Sequence, residues 1–477
     1  MRSKTIHHLA KLGLLALTGL TACVPALEVR EARRALPATF DDPADTTIAA
    51  RSDWRQFFQD EGLALLIDSA LLNNQEFNIL MQEVAMARNE VKARKGEYLP
   101  YVDITAGGGV DKVGRYTRSG AVESNLEIAP EREFPEPLGD LQLGLRMSWE
   151  LDVWKKLRNA KKSAVLEYLG SVEGQRFMRT RLIAEVAESY YELLALDNEL
   201  DVIQANLDIL GNALRIVKLQ KSAGKVTELA VRRFEAEVLR NRASQFRVRQ
   251  ARVEAENRLN FLLGRFPGDV PRDATTFLQQ DLDTLFVGVP AQLLDERPDV
   301  RQAELRLEQA KVDVKVAKAA FYPSLRIDAG IGLQAFESGY LFTTPQSLVY
   351  SAVGELVSPF INRNALKANY LTANARQLQA VFGFERTVLN AVMEVRNQLA
   401  MISNRQASYT LQQQQVDALT NAVTISNSLF SSARADYMEV LLTQRDALEA
   451  RLELIENKKE LLIAKVRLYQ ALGGGWK

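Results

Sequence analysis

The chain has 477 residues, one cysteine and two histidines, and its 60 basic and 60 acidic residues cancel. A balanced charge offers no basic footprint for nucleic acid, a single cysteine permits no disulfide within the chain, and two histidines leave little for imidazole catalysis. With 47% of residues apolar, a chain of this length can be held together by burial alone.

Arg2, Lys4 and Lys11 surround the start of a short apolar run, 12–20, which is the layout of a secretory signal over residues 1–22. The run is shorter than the roughly 20 apolar residues of a spanning helix. It ends in Leu20-Thr21-Ala22-Cys23, which resembles the lipobox of bacterial lipoproteins, so cleavage before Cys23 and acylation of Cys23, with palmitate among the acyl groups, are expected. Val24 stands where an aspartate would favour inner-membrane retention. Loss of 1–22 removes those three cations together with His7 and His8, leaving 57 basic and 60 acidic residues and no imidazole. There is no Gly-rich phosphate loop, no Gly-x-Ser-x-Gly and no acidic metal cluster. The expectation is therefore no enzyme, no cofactor and no metal.

Residues 23–53 are rich in Pro, Ala and Asp without a period and read as an extended, lipid-anchored arm. A helical pattern over 54–97 stops at Pro100, because the residue before a proline disfavours helix. A strand pair over about 101–153 and a long helix pair over about 154–264 complete a first repeat, 54–264. After a connector, 265–296, a second repeat runs over 297–472, with a strand pair at about 324–358 and helices at about 362–472. A tail, 473–477, follows. Pro100, Ile104, Ala106 and Gly107 recur 223 positions on as Pro323, Ile327, Ala329 and Gly330, which marks two copies of one unit.

The strands alternate with period two. Leu141, Leu143, Leu145, Met147, Trp149 and Leu151 oppose Gln142, Arg146, Ser148, Glu150 and Asp152. Such runs match the roughly 9–11 residues of a membrane strand, although a half-buried soluble sheet alternates in the same way. The first long helix carries Leu193, Leu196, Leu200, Ile203, Leu207, Leu210, Leu214 and Val217 at spacings of three and four, a coiled-coil seam. Its roughly 65 residues imply a helix about 100 Å long. Four strands cannot enclose a lumen, which takes about eight or more, so membrane strands require several chains in one barrel. The arginines from Arg232 to Arg252 on the first return helix are interleaved with Glu235 and Glu237 and read as a salt-linked outer face or part of a partner contact.

Three motifs carry a resemblance. Leu293-Leu294-Asp295-Glu296-Arg297-Pro298-Asp299-Val300, then Ala303-Glu304, resembles the linker motif of the TolC-like outer-membrane efflux proteins, in the lipoprotein branch that serves resistance-nodulation-division pumps. Glu296 departs from that pattern, which commonly has a second arginine there. Ala187-Glu188-Ser189-Tyr190-Tyr191-Glu192-Leu193 is similar to the branch's first-long-helix motif, and Trp149-Glu150-Leu151-Asp152 to its strand-to-helix junction.

The resemblance implies a mainly α fold with a membrane β-barrel: a homotrimer whose twelve-stranded barrel continues into an α-helical barrel. It implies an outer-membrane, lipid-anchored exit duct of a tripartite efflux pump extending into the periplasm, with a periplasmic adaptor and an inner-membrane pump as partners. Conduction would be passive, through a periplasmic gate at the helix turns. The matching positions are Thr227, Glu228, Tyr437 and Glu439, with Leu442 where some members place a second acid. Alternatives are the duct of a one-step protein secretion system and a lipid-anchored periplasmic coiled-coil scaffold.

Overall fold

The computed structural model describes residues 24–37, 39–40, 53–282, 290–432 and 434–476. The signal segment and Cys23 lie outside the described residues. The chain forms two compact units, one of Ala85–Leu169 and Leu305–Phe382 with the segment up to Glu31, the other of Ala32–Val84, Gly170–Glu304 and Gly383–Lys477.

The helical pattern over 54–97 is three helices, α1 (Trp54–Phe58), α2 (Glu61–Asn73) and α3 (Gln75–Glu97). Two polar side chains make the breaks. Gln59 turns left-handed after α1, and Asp60 then caps α2 by accepting from the Leu63 amide at 2.9 Å. Asn74 caps α3 by accepting from the Phe77 amide at 2.9 Å. Each side chain satisfies an amide that the new helix leaves orphaned.

In the first unit, β1 (Tyr101–Asp111), β4 (Leu138–Leu151), β5 (Ser324–Ala335) and β6 (Leu348–Val357) form one antiparallel sheet in the order β1-β4-β5-β6. The register lines up whole rows. Ile104, Leu145, Ile331 and Tyr350 are successive partners, as are Val102, Met147, Ala329 and Ala352. The other face carries Asp103, Arg146, Gly330 and Ser351, and below them Glu150, Arg326 and Glu355. A one-residue slip would exchange the faces, so the pattern fixes the register. The apolar row is open to the surroundings: Ile104 is 79% and Tyr350 81% exposed. On β6 the polar face is mixed, with Val349 and Val353 among Ser351 and Glu355.

The segment between β1 and β4, polar and proline-bearing in sequence, is ordered. It holds α4 (Arg118–Glu123), capped by Thr117 at the Gly120 amide, and a small hairpin, β2 (Glu127–Ala129) and β3 (Arg132–Glu133). Arg132 pairs with Glu337 of the β5–β6 loop at 2.6 Å.

The long helices are α5 (Lys156–Ser222), α6 (Glu228–Leu262), α9 (Asn364–Ser431) and α10 (Tyr437–Ala471), with a short α7 (Leu293–Glu296) and α8 (Pro298–Ala319) between the pairs. In the second unit Ile203, Leu210 and Val217, seven apart, are fully buried on α5, and Leu207 and Leu214 pack beside them. A seven-residue burial period is what side-by-side helices of this kind require. The largest cluster joins Trp54, Phe57 and Ile67 to Leu182, Tyr191 and Leu194 of α5, Leu259 of α6 and Leu462 and Tyr469 of α10. Phe57 stacks on Tyr469 with ring centroids 4.5 Å apart.

Candidate functional site

The second unit contains the turns that join α5 to α6 and α9 to α10. Each long helix ends with an amide reaching back five residues, Lys225 to the Gln220 carbonyl and Arg434 to the Leu429 carbonyl. In the first turn Gly224 takes φ +71°, a left-handed stop that costs glycine little. Thr227 and Asp436 then precede α6 and α10 as extended residues, and neither side chain caps its helix.

One apolar cluster brings the two turns together. Val217, Ala230, Val231 and Phe234 of the first pair bury Leu441 of the second, and Val226, Phe430 and Tyr437 pack around them. Arg233 reaches the Met438 sulfur at 2.6 Å. Of the four positions singled out in sequence, Tyr437 is half-buried in this cluster, while Thr227, Glu228 and Glu439 are exposed.

The two acids differ in their surroundings. Glu228 is held by Lys221 and, at 2.8 Å, by Arg232. The hydrogen bond from Lys221, then the charges of Lys221 and Arg232, hold its carboxyl below the usual glutamate range. Its charge is thus locally cancelled. Glu439 has no ion-pair partner among the described residues; its backbone oxygen accepts from the Thr443 hydroxyl at 2.7 Å. An unpaired carboxylate at a helix start is favoured by the helix dipole and keeps its full field. Leu442, one turn on, is exposed and apolar. Lys221 and Arg232, which set this contrast, are cations seven and four residues from Glu228, a pairing visible in sequence only once the turn is known. The arginine run on α6 is partly salt-linked, with Arg232 on Glu235, Arg240 on Glu237 and Arg252 on Asp197.

The three sequence motifs have structural roles around this scaffold. Tyr190 donates to Asp60 at 3.2 Å, Tyr191 is buried, and Glu188 pairs with Arg467 of α10 at 2.8 Å. Burial, then the Asp60 charge, raises the Tyr190 hydroxyl far above its ordinary value, so it stays a donor. Trp149 donates to the Tyr98 carbonyl, and Asp152 accepts from the Leu157 and Arg158 amides at the start of α5. Arg297 is the centre of the linker motif. Its buried guanidinium donates to both Asp299 oxygens at 2.9 and 2.7 Å, to Glu394 at 2.8 Å and to the Ala471 carbonyl at 2.9 Å. Burial works against its charge, but Asp299 and Glu394 outweigh burial and raise its pKa.

Arg297 has a counterpart 223 positions earlier. Asn74 is also buried, also precedes a helix, and donates to the Leu262 carbonyl at 3.0 Å, as Arg297 does to Ala471. Each contact is made to the last turn of a return helix that ends on a left-handed glycine, Gly264 or Gly473. A Cβ on Gly473 would lie 2.5 Å from the Glu296 carbonyl, and one on Gly264 would strike the Asn73 carbonyl.

No group of three or more His, Cys, Asp or Glu placed to hold a metal occurs among the described residues. No helix among them is long and apolar enough to cross a membrane.

The family described as outer membrane efflux protein matches residues 66–265 and 289–474. The cation efflux system protein CusC of Escherichia coli is 28% identical over 468 residues, covering 96% of this chain and 97% of its own. The toluene efflux pump outer membrane protein TtgF of Pseudomonas putida is 29% identical over 449 residues, covering 94% and 90%. Among solved structures, the open state of the MtrE outer membrane channel of Neisseria gonorrhoeae matches with a TM-score of 0.83 at 24% identity, over 95% of this chain and 99% of that one.

Proposed function

We propose a passive, gated duct for this chain, which belongs to the outer membrane efflux protein family and is the outer-membrane exit channel of a tripartite efflux pump. The observation that carries the duct is the sheet: one apolar face, one polar face and two edges, β1 and β6, with no partner strand among the described residues. Such edges are templates for pairing, and backbone in a bilayer must be paired throughout. Three chains, each setting β6 against the next chain's β1, would close twelve strands, with Ile104, Leu145, Ile331 and Tyr350 toward lipid and Arg146, Glu150, Arg326 and Glu355 toward a wet lumen. Cys23 carries the lipid that holds the assembly at the membrane.

A tandem duplication fits this assembly. The spacing of 223 between the strand motifs falls to 209 between the helix ends Gly264 and Gly473. The difference of 14 equals the difference between the 26 residues that separate β1 from β4 and the 12 that separate β5 from β6. Two such units in each of three chains would give a near six-fold wall.

Energy for transport comes from an inner-membrane resistance-nodulation-division pump through a periplasmic adaptor, and the chain itself only opens. The gate lies at the two helix turns. Tyr437 and its apolar cluster lock one turn on the other, Glu228 is spent in local ion pairs, and Glu439 supplies the acid of a three-fold ring. CusC and TtgF are named for cations and toluene; cargo here is of the same small-molecule scale, with selection made upstream.

Single cysteines on β1 (Ala106→Cys) and β6 (Ala352→Cys), in a Cys23→Ser background, test the closure. Oxidised membranes should yield a covalent trimer ladder, and planar bilayers should show pores. A protein that cross-links only as monomer and gives no pores would sink the reading.

A further inference from the structure

At the helical end of the sheet, five residues line a cleft of about 340 Å³: Tyr98, Arg158, Lys161, Lys162 and Val165. Three are cations and none is acidic. The Lys161 ammonium lies 5.7 Å from the centre of the Tyr98 ring, within cation–π range. Arg158 is anchored by Asp152, with Nε 3.1 Å from the carboxylate and another nitrogen 2.7 Å from the backbone oxygen. Lys162 is exposed and has no ion-pair partner among the described residues. Asp152 pairs with Arg158, whereas neither Lys161 nor Lys162 is ion-paired to a carboxylate among the described residues. An excess of positive charge is therefore held in a concave place.

Its position selects the ligand. The Tyr98 carbonyl accepts from Trp149 at 3.0 Å, and Trp149 belongs to the same row as Leu145 and Met147, the apolar face of β4. Beside it Trp154 donates to the Pro323 carbonyl and stacks on Tyr322 with centroids 4.8 Å apart. Indole and phenol rings with one polar end satisfied collect at the boundary between acyl chains and headgroups. α5 begins at Lys156, five residues past the end of β4 at Leu151, and Arg158 and Lys162 lie within its first two turns, a rise of roughly 3–9 Å from that start. The headgroup layer beyond the hydrocarbon edge is about 5–8 Å deep, which long cationic side chains can reach.

We propose that this cleft binds the phosphodiester of an anionic phospholipid in the leaflet facing the helices, with Lys161 and Lys162 pairing the phosphate and Tyr98 flooring the site. This rests on the reading of the sheet as membrane-spanning. Because the cations sit on the first turns of α5, such a lipid would tie the membrane to the long helix.

The test uses the full chain in detergent micelles, titrated with dioleoyl phosphatidylglycerol or dioleoyl phosphatidylcholine, with bound lipid counted by native mass spectrometry. Phosphatidylglycerol should bind roughly tenfold or more tightly than phosphatidylcholine, and Lys161→Gln/Lys162→Gln should erase that preference. Lys161→Arg/Lys162→Arg should retain it, which separates charge from folding. Equal binding of the two lipids, an unchanged preference in the Gln variant, or displacement of the lipid by millimolar inorganic phosphate would each overturn the proposal. Planar-bilayer recording of the same wild-type preparation separates the two readings: absence of pores is a failure of the membrane-spanning sheet, whereas pores without lipid preference defeat only the cleft.

Discussion

Arg297→Met tests how the linker holds the second helix pair. The substitution keeps much of the side-chain volume but deletes a guanidinium that is 5% exposed, leaving Asp299, 18% exposed, without its bidentate partner and the Ala471 carbonyl without its donor. Removing one member of a buried pair costs about 3–5 kcal/mol. Glu394 is 51% exposed, so that arm adds less than about 1 kcal/mol. With 477 residues and an unfolding entropy of about 2.1 cal/mol/K per residue, 1 kcal/mol is about 1 °C in Tm. Circular dichroism at the helical minimum, on detergent-solubilised protein, should therefore show a Tm about 3–5 °C below wild type. Arg297→Met/Asp299→Leu removes both charges and should recover more than half of that loss, since a well-packed apolar pair can replace a buried ion pair. A single variant within about 1 °C of wild type, or a double variant as unstable as the sum of its parts, would refute the view that the cost is an uncompensated buried charge.

Gly473→Ala should destabilise by roughly 1–3 kcal/mol, because φ +86° strains an L residue and the new Cβ meets the Glu296 carbonyl; Gly264→Ala should do the same at Asn73, and Gly211→Ala, where the space is open, provides the control in the same melts. The depressed pKa of Glu228 makes its contribution present above the unfolded value of about 4.3 and lost as pH falls through the lower folded value. Glu228→Gln should therefore show a shallower fall in Tm than wild type between about pH 5 and about pH 3, and parallel curves would count against the Lys221 pairing. Glu439→Ala should raise single-channel conductance and weaken cation preference in planar bilayers, while Glu228→Gln should change both less, because its charge is already paired. Equal effects of the two variants would remove the distinction.

The sequence alone carried the family and the exit-channel function. The linker around Arg297, the Tyr190-Tyr191 motif and the Trp149-Asp152 junction resemble those of efflux channels because each is a contact with narrow chemical requirements: a buried fork of donors, a capped hydroxyl, a carboxylate at a helix start. The strand faces were equally local in origin. A period of two in Leu141 to Leu151 decides which side chains share a face, whatever the strand pairs with. Other features depended on contacts between distant residues. The break of 54–97 into three helices follows from Asp60 and Asn74, and Asn74 matters because Leu262, 188 residues away, needs a donor. The order within the segment between β1 and β4 is tied to Glu337 of another loop. At the helix turns, sequence marked Glu228 and Glu439 as alike, and tertiary structure separated them. Lys221 folds back across the turn onto Glu228, while no cation among the described residues reaches Glu439. Periodicity is written into neighbouring residues, but which charge finds a partner is decided only when the chain turns back on itself.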